Sequence, residues 1–545
     1  MSEPKDLMVP PLWQVWRNPI IWRYSRSRLR FKRTSFWLLL TLMITAWTVL
    51  QIYYSGLQAG VKATDAARLG LIPLVSIQGF ILMLLGTGSV ATGVVDEKLA
   101  GVLDYQRMAP STPAHKIVGY LLGLPIREYA MFAVTVPFLL FIVWRGGISP
   151  LQILPVYLVF FSSVLLYHIT GMAAGMVTER WRWAARLSQL FVILLYLVLP
   201  QFSHFGFVFF EYLTIRPVLA EHVRPLLGDG ARAFLEGSDF LAARSVPFFT
   251  LTISGTVFSL MIQTMTMLLF ITILWRKWVH MHRHPLSKIQ TLMVFVLFQV
   301  LTFGNLWQIL TTNVADLARE RLRIPIPDEV IATAIPLAFV GLSGLLVVWL
   351  MLMVVPTWDA LKQGERRRVN LKLNQVPWRW DESSAVALVA GLSFACGLLV
   401  IIVQTLLERA DYAGDGERSG LLFLPVVFGG CLLIFGWTLA VFDRGRLMFS
   451  LLVLWTLPPL VASILGTAIN DWMEPALWIA ALSPGATLII AGFFPYLEGL
   501  NTSADSFSRA LYFGMFWMSC LSGVLFATWC VRYRSQLPKS PMPRF

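Results

Sequence analysis

The sequence predicts an all-α fold, a polytopic membrane helix bundle of about twelve transmembrane helices arranged as two parallel six-span halves. Hydrophobic residues make up 57% of the 545 residues, charged residues only 14%, and the mean hydropathy is +0.68. A soluble domain could not bury that much apolar surface. Apolar runs of the roughly 20 residues that cross a bilayer recur along the chain, and Lys and Arg concentrate between alternate runs.

The apolar runs place the spans in chain order. They lie near 35–57, 71–95, 117–144, 151–176, 185–210, 246–275, 289–311, 329–355, 386–407, 420–442, 448–469 and 509–531. A further apolar stretch, Ala476–Tyr496, is interrupted by Ser483, Pro484 and Gly485. We expect a re-entrant or interfacial helix pair there, because another span would place the basic C-terminus outside.

The spans divide the chain near residue 285. We predict a basic cytoplasmic interfacial segment at 1–34, a first six-span half at 35–284, a diverged second half at 285–531 and a cytoplasmic tail at 532–545. A long external segment precedes the last span of each half, as expected for a parallel repeat. A chance correspondence between two sets of six spans is the alternative.

The net charge of +14 does not indicate nucleic-acid binding. Most of the 44 Lys and Arg residues fall in the segments predicted to be cytoplasmic. That asymmetry orients membrane proteins, so it accounts for the basic charge and places both termini in the cytoplasm. We therefore expect a lipid bilayer, and no nucleic acid, as the partner of this surface.

No catalytic or metal-binding pattern is evident. Motifs for a phosphate-binding loop, a zinc protease or a serine nucleophile are absent, and the longest extramembrane stretch, about 40 residues, is too short for an ATPase domain. His280, His282 and His284 would face nearly opposite ways on a helix. We therefore predict that this chain is not an enzyme and has no metal site.

Acidic residues are nearly absent from the predicted spans. Only Glu128 lies within one, beside Arg127. Ion-coupled carriers need ionisable groups near the membrane centre, so this composition argues against ion-driven transport. We expect both charges to reach outward to the interface.

Gly171 and Gly175 form a GxxxG motif in the fourth span, with His168 one turn earlier. Such a motif lets another helix approach closely, and His168 could hydrogen-bond across that contact. Packing within the chain is the favoured interpretation, and a dimer interface is the alternative.

The loop after the second span has a distinctive pattern. Leu99, Val102, Leu103 and Gln106 have the i, i+3, i+4, i+7 spacing of a short amphipathic helix, which Pro110 ends. Such a helix could dock into a partner's groove or lie on the membrane.

This loop resembles the cytoplasmic loop of ABC transporter permeases of the type 2 exporter class. The matching residues are Glu97, Gly101, Leu103 and Asp104, then Pro110-Ser111, then 116–120. The family pattern is Glu-xxx-Gly-Thr-Leu-Glu, so this chain has Val102 and Asp104 where Thr and Glu are usual, and Tyr120 where Lys is usual. Residues 18–33 also resemble the family's basic interfacial segment before its first span.

The resemblance implies a coupling helix seated on a separate ATP-binding-cassette ATPase subunit. Glu97, Gly101, Leu103, Asp104 and Pro110 would shape that contact. ATP and Mg would bind to the partner subunit, with no cofactor in this chain, and a second permease copy could complete the pathway. The implied function is that of the permease subunit of an exporter in the plasma membrane of a bacterium, its inner membrane.

The second half lacks this pattern. Its corresponding segment, Pro356–Ser384, contains no Glu-xxx-Gly-x-Leu sequence. The chain could be a fused pair of permease domains or a six-span permease with six added spans. A membrane scaffold or assembly subunit without transport, and an ion-coupled secondary transporter, are the alternative functions.

Overall fold

The computed structural model describes residues 14–177, 181–205, 207–227, 246–279, 283–311, 328–409, 426–434, 436, 444–468, 473–498 and 504–536. These parts of the chain are predominantly helical, which confirms the predicted helical bundle. Within them, nine helical segments are long and apolar enough to cross a membrane. Two shorter apolar helices are Ser188–Leu197 and Val453–Gly466. The protein is therefore a multi-pass membrane protein.

The chain contacts separate two compact units, and the first comprises Met1–Ser203 with Phe207–Arg283. Its α-helices are α1 (Pro19–Arg28), α2 (Phe31–Gln58), α3 (Ala63–Leu69), α4 (Leu71–Gly79), α5 (Thr87–Leu99), α6 (Val102–Met108), α7 (Pro113–Gly123), α8 (Ile126–Arg145), α9 (Pro150–Val177), α10 (Trp181–Leu197), α11 (Arg216–Val223) and α12 (Gly255–Val279). A π-helical segment, Phe80–Gly86, joins α4 to α5. Short 3-10 helices occupy Val15–Arg17, Leu199–Phe205, Val208–Leu213 and Arg224–Leu226.

The predicted third span is divided in the structure. α7 ends at Gly123 and α8 begins at Ile126, with Pro125 between them. Proline lacks the N–H that a continuous helix would use and disfavours helical backbone in the residue before it. The span-length helix is therefore α8, and α7 is a separate helix.

The predicted sixth span begins later than its apolar composition indicates. Residues Val246–Phe248 and Leu251–Ile253 form an antiparallel hairpin, β1 and β2, in which Val246 pairs with Ile253. The helix starts only at Gly255. Directly before this start, the backbone carbonyl of Ser254 accepts a hydrogen bond from the Phe258 N–H at 3.0 Å. Apolar aromatic and β-branched residues suit a strand as well as a span, which is why composition misplaced this boundary.

The second compact unit comprises His204–Gly206 with His284–Phe545. Its helices are α13 (Lys288–Thr311), α14 (Asp328–Val354), α15 (Trp358–Asn370), α16 (Val386–Arg409), α17 (Arg444–Ala468), α18 (Met473–Ala480), α19 (Pro484–Glu498) and α20 (Ala504–Gln536). Residues 426–434 are also helical and belong to the predicted span at 420–442, the rest of which lies mostly outside the described residues.

The break predicted within Ala476–Tyr496 is present, because α18 ends at Ala480 and α19 begins at Pro484. The Ser483 hydroxyl between them donates to the Trp455 carbonyl at 3.0 Å, which ties this break to α17.

One hydrophobic core of the first unit lies directly beneath the α5–α6 connection. It joins α1, α5, α6, α7, α9 and α12 through buried side chains that include Tyr24, Val94, Leu103, Tyr120 and Trp278. At about 25 cal/mol per Å² of apolar surface, this burial is the main force holding the short helices α1, α6 and α7 in place. The predicted partner-docking loop therefore rests on a packed base.

Candidate functional site

The α5–α6 connection turns sharply at Gly101. Its φ of +71° lies in the left-handed region, which glycine enters without the steric cost that a Cβ adds. The Gly101 N–H donates to the Lys98 carbonyl at 3.2 Å, and its own carbonyl accepts from the Tyr105 N–H at 3.3 Å. A Cβ at this position would meet no atom within 4 Å. Backbone conformation, rather than a contact within the chain, therefore requires glycine here.

The Glu97 carboxylate is the centre of a hydrogen-bond cluster, here called the Glu97 cluster. Arg23 and Tyr24 of α1 donate to its Oε1 atom, and Tyr120 of α7 donates to Oε2. The Glu97 side chain is only 12% exposed. Burial, followed by the hydrogen bonds to Glu97, raises the pKa of Tyr24 and Tyr120 well above the ordinary value of 10.0, so both hydroxyls stay protonated donors at neutral pH.

Aromatic contacts extend the Glu97 cluster to a further helix. The Tyr24 and Tyr120 rings meet edge to face with centroids 6.1 Å apart, and the Tyr120 ring lies 5.4 Å from that of Trp278 in α12. Pairs of this geometry add about 0.5–1.5 kcal/mol beyond area burial. The cluster therefore connects α5 with α1, α7 and α12.

Helices α1 and α7 approach each other closely at two glycines. A Cβ on Gly119 would lie 2.9 Å from Asn18 Oδ1, and one on Gly123 would lie 2.9 Å from the Tyr24 ring. The Asn18 Oδ1 atom caps α1 by accepting from the Ile20 N–H at 3.0 Å, while Nδ2 donates to the His115 carbonyl at 2.8 Å. This contact was not predicted from the sequence, although the GxxxG spacing of Gly119 and Gly123 could have indicated it.

The end of α5 and the outer face of α6 carry exposed apolar side chains. Leu99, Tyr105 and Met108 are 61%, 71% and 78% exposed, and together they form what we call the α6 surface. Leu103 points the other way and is buried in the core. The predicted apolar face grouped Leu99 with Leu103, but the left-handed turn at Gly101 interrupts the helix and separates them.

The remaining predicted coupling residues lie at the edge of the α6 surface. The Asp104 side chain is 65% exposed and pairs with Arg107 one turn later. The Arg107 Nη2 atom also donates to the Lys277 carbonyl of α12 at 3.4 Å. Pro110 is exposed in the turn between α6 and α7, where the Lys116 ammonium donates to the Ala109 carbonyl at 3.1 Å. Asp104 and Pro110 are thus accessible, whereas Glu97 and Leu103 face inward.

The GxxxG motif of α9 packs against α5. A Cβ on Gly171 would lie 2.9 Å from the Thr87 carbonyl oxygen, and one on Gly175 would lie 2.8 Å from that of Ala91. At this distance the two backbones are in direct contact, which only glycine permits. The motif therefore serves packing within the described first unit.

His168 joins α9 to the π-helical segment and to α8. Its Nε2 atom lies 2.9 Å from the Leu82 carbonyl oxygen, and Nδ1 lies 3.2 Å from the Tyr129 hydroxyl. Because a carbonyl can only accept, Nε2 carries the hydrogen and Nδ1 accepts from Tyr129. A Cβ on Gly86 would come within 2.6 Å of Nε2, so glycine is needed where the imidazole crosses.

Glu128 is buried, in contrast to the expectation that it reaches the interface. Its Oε1 atom accepts from Ser89 at 2.8 Å and from Arg127 at 2.7 Å. Its Oε2 atom is enclosed without a hydrogen-bond partner among the described residues. The first turn of α8 also favours a negative charge there. Adjacency to Arg127 did not predict this burial, because Ser89 is contributed by α5.

The corresponding segment of the second unit is held in a different way. The Lys288 ammonium donates to the carbonyls of Trp378, Ser383 and Ser384 at 3.1, 2.9 and 2.9 Å, and also to the Ser383 hydroxyl. A cation bound by several carbonyls fixes this loop to the start of α13. No carboxylate takes the place of Glu97 among these contacts.

Comparison with known proteins identifies no relative. No family model matches the chain, and neither the curated proteins nor the solved structures contain a match. A functional interpretation therefore depends on the geometry of the α5–α7 region and on its sequence motif.

Proposed function

We propose that this chain is the membrane-spanning permease subunit of an ABC transporter, coupling ATP hydrolysis by a separate ATPase subunit to export of an unidentified substrate. The proposed arrangement has about twelve spans in two parallel halves, with both termini in the cytoplasm and the protein in a bacterial inner membrane. The observation that carries the proposal is the α6 surface, which presents Leu99, Tyr105 and Met108 outward from a motif-bearing loop.

The α6 surface has the properties of a docking element. Burying one large apolar side chain contributes about 1.5–3 kcal/mol, so three exposed ones can supply much of a protein–protein contact. The exposed Asp104 at its edge adds a charge that can select the partner. A short helix inserted into a groove is a common recognition mode.

The inward-facing residues provide mechanical coupling. A partner that pushes on α6 displaces Leu103, whose side chain lies in the core shared by α1, α5, α7, α9 and α12. The Glu97 cluster holds α1, α5 and α7 together, so we expect these helices to move as one body. In this proposal Glu97 and Leu103 transmit movement, while Gly101 sets the angle of α6.

Ion-coupled secondary transport is a second candidate, favoured by one observation. Glu128 is a buried carboxylate whose Oε2 atom has no hydrogen-bond partner within the described residues, and it is the type of group that binds protons or cations inside membranes. Arg127 pairs with its other oxygen, which offsets the charge and weakens this alternative. Transport by reconstituted protein that persists without ATP, and disappears in Glu128→Gln, would favour it.

The first experiment asks which chains accompany the protein. The full-length chain is purified from its native membrane in mild detergent, and co-purifying proteins are identified by mass spectrometry. Recovery of an ATP-binding-cassette ATPase is expected, and its consistent absence would refute the proposal. ATPase binding without any stimulation of hydrolysis would instead indicate a scaffold or assembly subunit.

The second experiment tests the α6 surface. The double variant Tyr105→Ser/Met108→Ser should weaken ATPase binding at least about tenfold, equivalent to about 1.4 kcal/mol. The matched control is Val369→Ser/Leu371→Ser, which removes two exposed apolar side chains at the end of α15. Equal loss in the control pair would assign the effect to general surface hydrophobicity, or to a contact made by the second unit.

A further inference from the structure

An open pocket lies on the outer face of α1, away from the Glu97 cluster. Its volume is about 910 Å³, and its walls include Trp16, Arg17, Trp22, Arg23, Arg26 and Arg30. The opposite face of α1 is buried through Ile20 and Tyr24. The core therefore fixes α1 in place, and the aromatic and basic side chains Trp22 and Arg26 on its other face, with Arg30 just after its end, stay exposed within the described part of the chain.

The charge of the pocket is uniformly positive. Arg23 is neutralised by Glu97, but Arg17, Arg26 and Arg30 are exposed and form no ion pair within the described part of the chain. The Arg26 guanidinium stacks on the Trp22 ring, 3.8 Å from its centroid. Stacking restrains the guanidinium and leaves its edge N–H groups free to bind an anion, preferably a phosphate.

The pocket lies next to the end of a membrane span. The first candidate span, Thr34–Gln58, begins four residues after Arg30. Trp16, Trp22 and Phe31 are all exposed beside it, and tryptophans of this kind sit at the headgroup level of bilayers. An anion in this pocket would therefore lie in the headgroup layer.

Helix α2 follows the pocket residues in the chain and carries an apolar stripe. Its exposed side chains recur every three or four residues, on one side of the helix, at Phe36, Leu39, Met43 and Trp47. A phospholipid has the complementary form, with a charged phosphate at one end and acyl chains that follow an apolar surface into the hydrocarbon layer. Free phosphate would use only the first of these features.

From these observations we infer that the α1 pocket binds the headgroup of an anionic phospholipid. Arg17, Arg26 and Arg30, which form no ion pair within the described part of the chain, favour a ligand with net negative charge, which phosphatidylglycerol has and zwitterionic phosphatidylcholine lacks. Each basic residue near a membrane surface contributes about 1 kcal/mol of attraction to anionic lipid, close to a fivefold change in affinity. The inference depends on the membrane placement of α2 and not on the proposed ATPase partner.

The test uses the full-length protein in detergent, titrated with phosphatidylglycerol or phosphatidylcholine, with retained lipid counted by native mass spectrometry. The wild-type protein should retain more phosphatidylglycerol than phosphatidylcholine. The variant Arg17→Gln/Arg26→Gln/Arg30→Gln should lose on the order of 100-fold in affinity for phosphatidylglycerol, with phosphatidylcholine binding unchanged. Retention of phosphatidylglycerol at the wild-type level in this variant would overturn the inference.

The matched control is Arg283→Gln/Arg366→Gln/Lys372→Gln, which removes three exposed cations from elsewhere in the chain. Equal loss in the control would show general attraction to positive charge and overturn a defined site. Inorganic phosphate in excess should displace little phosphatidylglycerol, and full displacement would identify a free-phosphate site instead. If the triple variant aggregates, Arg26→Gln and Arg30→Gln are measured singly, each with about a fivefold expected loss.

Discussion

Replacing Glu97 by alanine should destabilise the first unit far more than replacing the nearby acid Asp104. The change removes the shared acceptor of Tyr24 and Tyr120, whose hydroxyls are largely enclosed by the helices they join. A buried donor left without an acceptor costs about 1–3 kcal/mol, so the two tyrosines together give about 2–6 kcal/mol. Arg23 is partly exposed and can turn to water, so it adds little.

Asp104→Ala provides the matched control, because Glu97 and Asp104 lie on either side of the Gly101 turn and both pair with arginine. The Asp104 side chain is 65% exposed and its Arg107 partner lies on the same helix. Such a surface pair contributes about 0.3–0.5 kcal/mol. Glu97→Ala should therefore lower the free energy of unfolding by at least about 1.5 kcal/mol more than Asp104→Ala does.

The assay is equilibrium unfolding of the purified protein in mixed micelles by a denaturing detergent, followed through hydrogen exchange of peptides from α1, α5 and α7. Loss of protection in all three helices together is expected for Glu97→Ala. Glu97→Gln keeps an acceptor and should lie between wild type and alanine. Equal stability of Glu97→Ala and Asp104→Ala would refute the assignment of Glu97 as the centre of the cluster.

Three further predictions concern packing, the second unit and pH. Gly175→Ala should lower the melting temperature by several degrees, because its Cβ would lie 2.8 Å from a carbonyl oxygen of α5. A Cβ on Gly344 would meet no atom within 4 Å, so Gly344→Ala should leave the melting temperature unchanged. Equal shifts in the two variants would argue against the close contact at Gly175. Lys288→Met should speed limited proteolysis of the segment after α15, since the three N–H groups of that ammonium are shared among five acceptor oxygens of the segment. The exposed Lys372→Met should leave the digestion pattern unchanged. The raised pKa of Tyr120 should make the stability of the fold decrease above about pH 10, because the unfolded tyrosine ionises there while the folded one stays protonated. In a series of melting temperatures measured at increasing pH, Tyr120→Phe should show a smaller decrease than wild type. An equal decrease in the variant and in wild type would contradict this prediction.

Span positions were predictable wherever a helix is long and apolar. The predicted segments at 151–176 and 289–311 correspond to Pro150–Val177 and Lys288–Thr311. Hydropathy summed over about 20 residues is insensitive to any single contact, so a bilayer-spanning helix can be located without knowing its neighbours. The hairpin at 246–253 was wrongly included in a span, because hydropathy does not distinguish an apolar strand from an apolar helix.

The outcome for Glu128 shows where prediction from sequence stopped. A carboxylate next to Arg127 near a span end is compatible with either an exposed or a buried pair. Burial was decided by Ser89, which lies 39 residues earlier and reaches Glu128 only because α5 packs near the start of α8. No local pattern contains that information.

The sequence by itself determined that the chain enters a membrane many times, that its helical segments are separated by polar loops, and that one loop carries the pattern Glu97-xxx-Gly101-x-Leu103-Asp104. Those properties follow from composition and short-range spacing. Only the tertiary structure decided which motif residues face outward. Glu97 turns inward because its three donors come from residues 74, 73 and 23 positions away, and Leu99 turns outward because Gly101 breaks the helix before the α6 core contact forms.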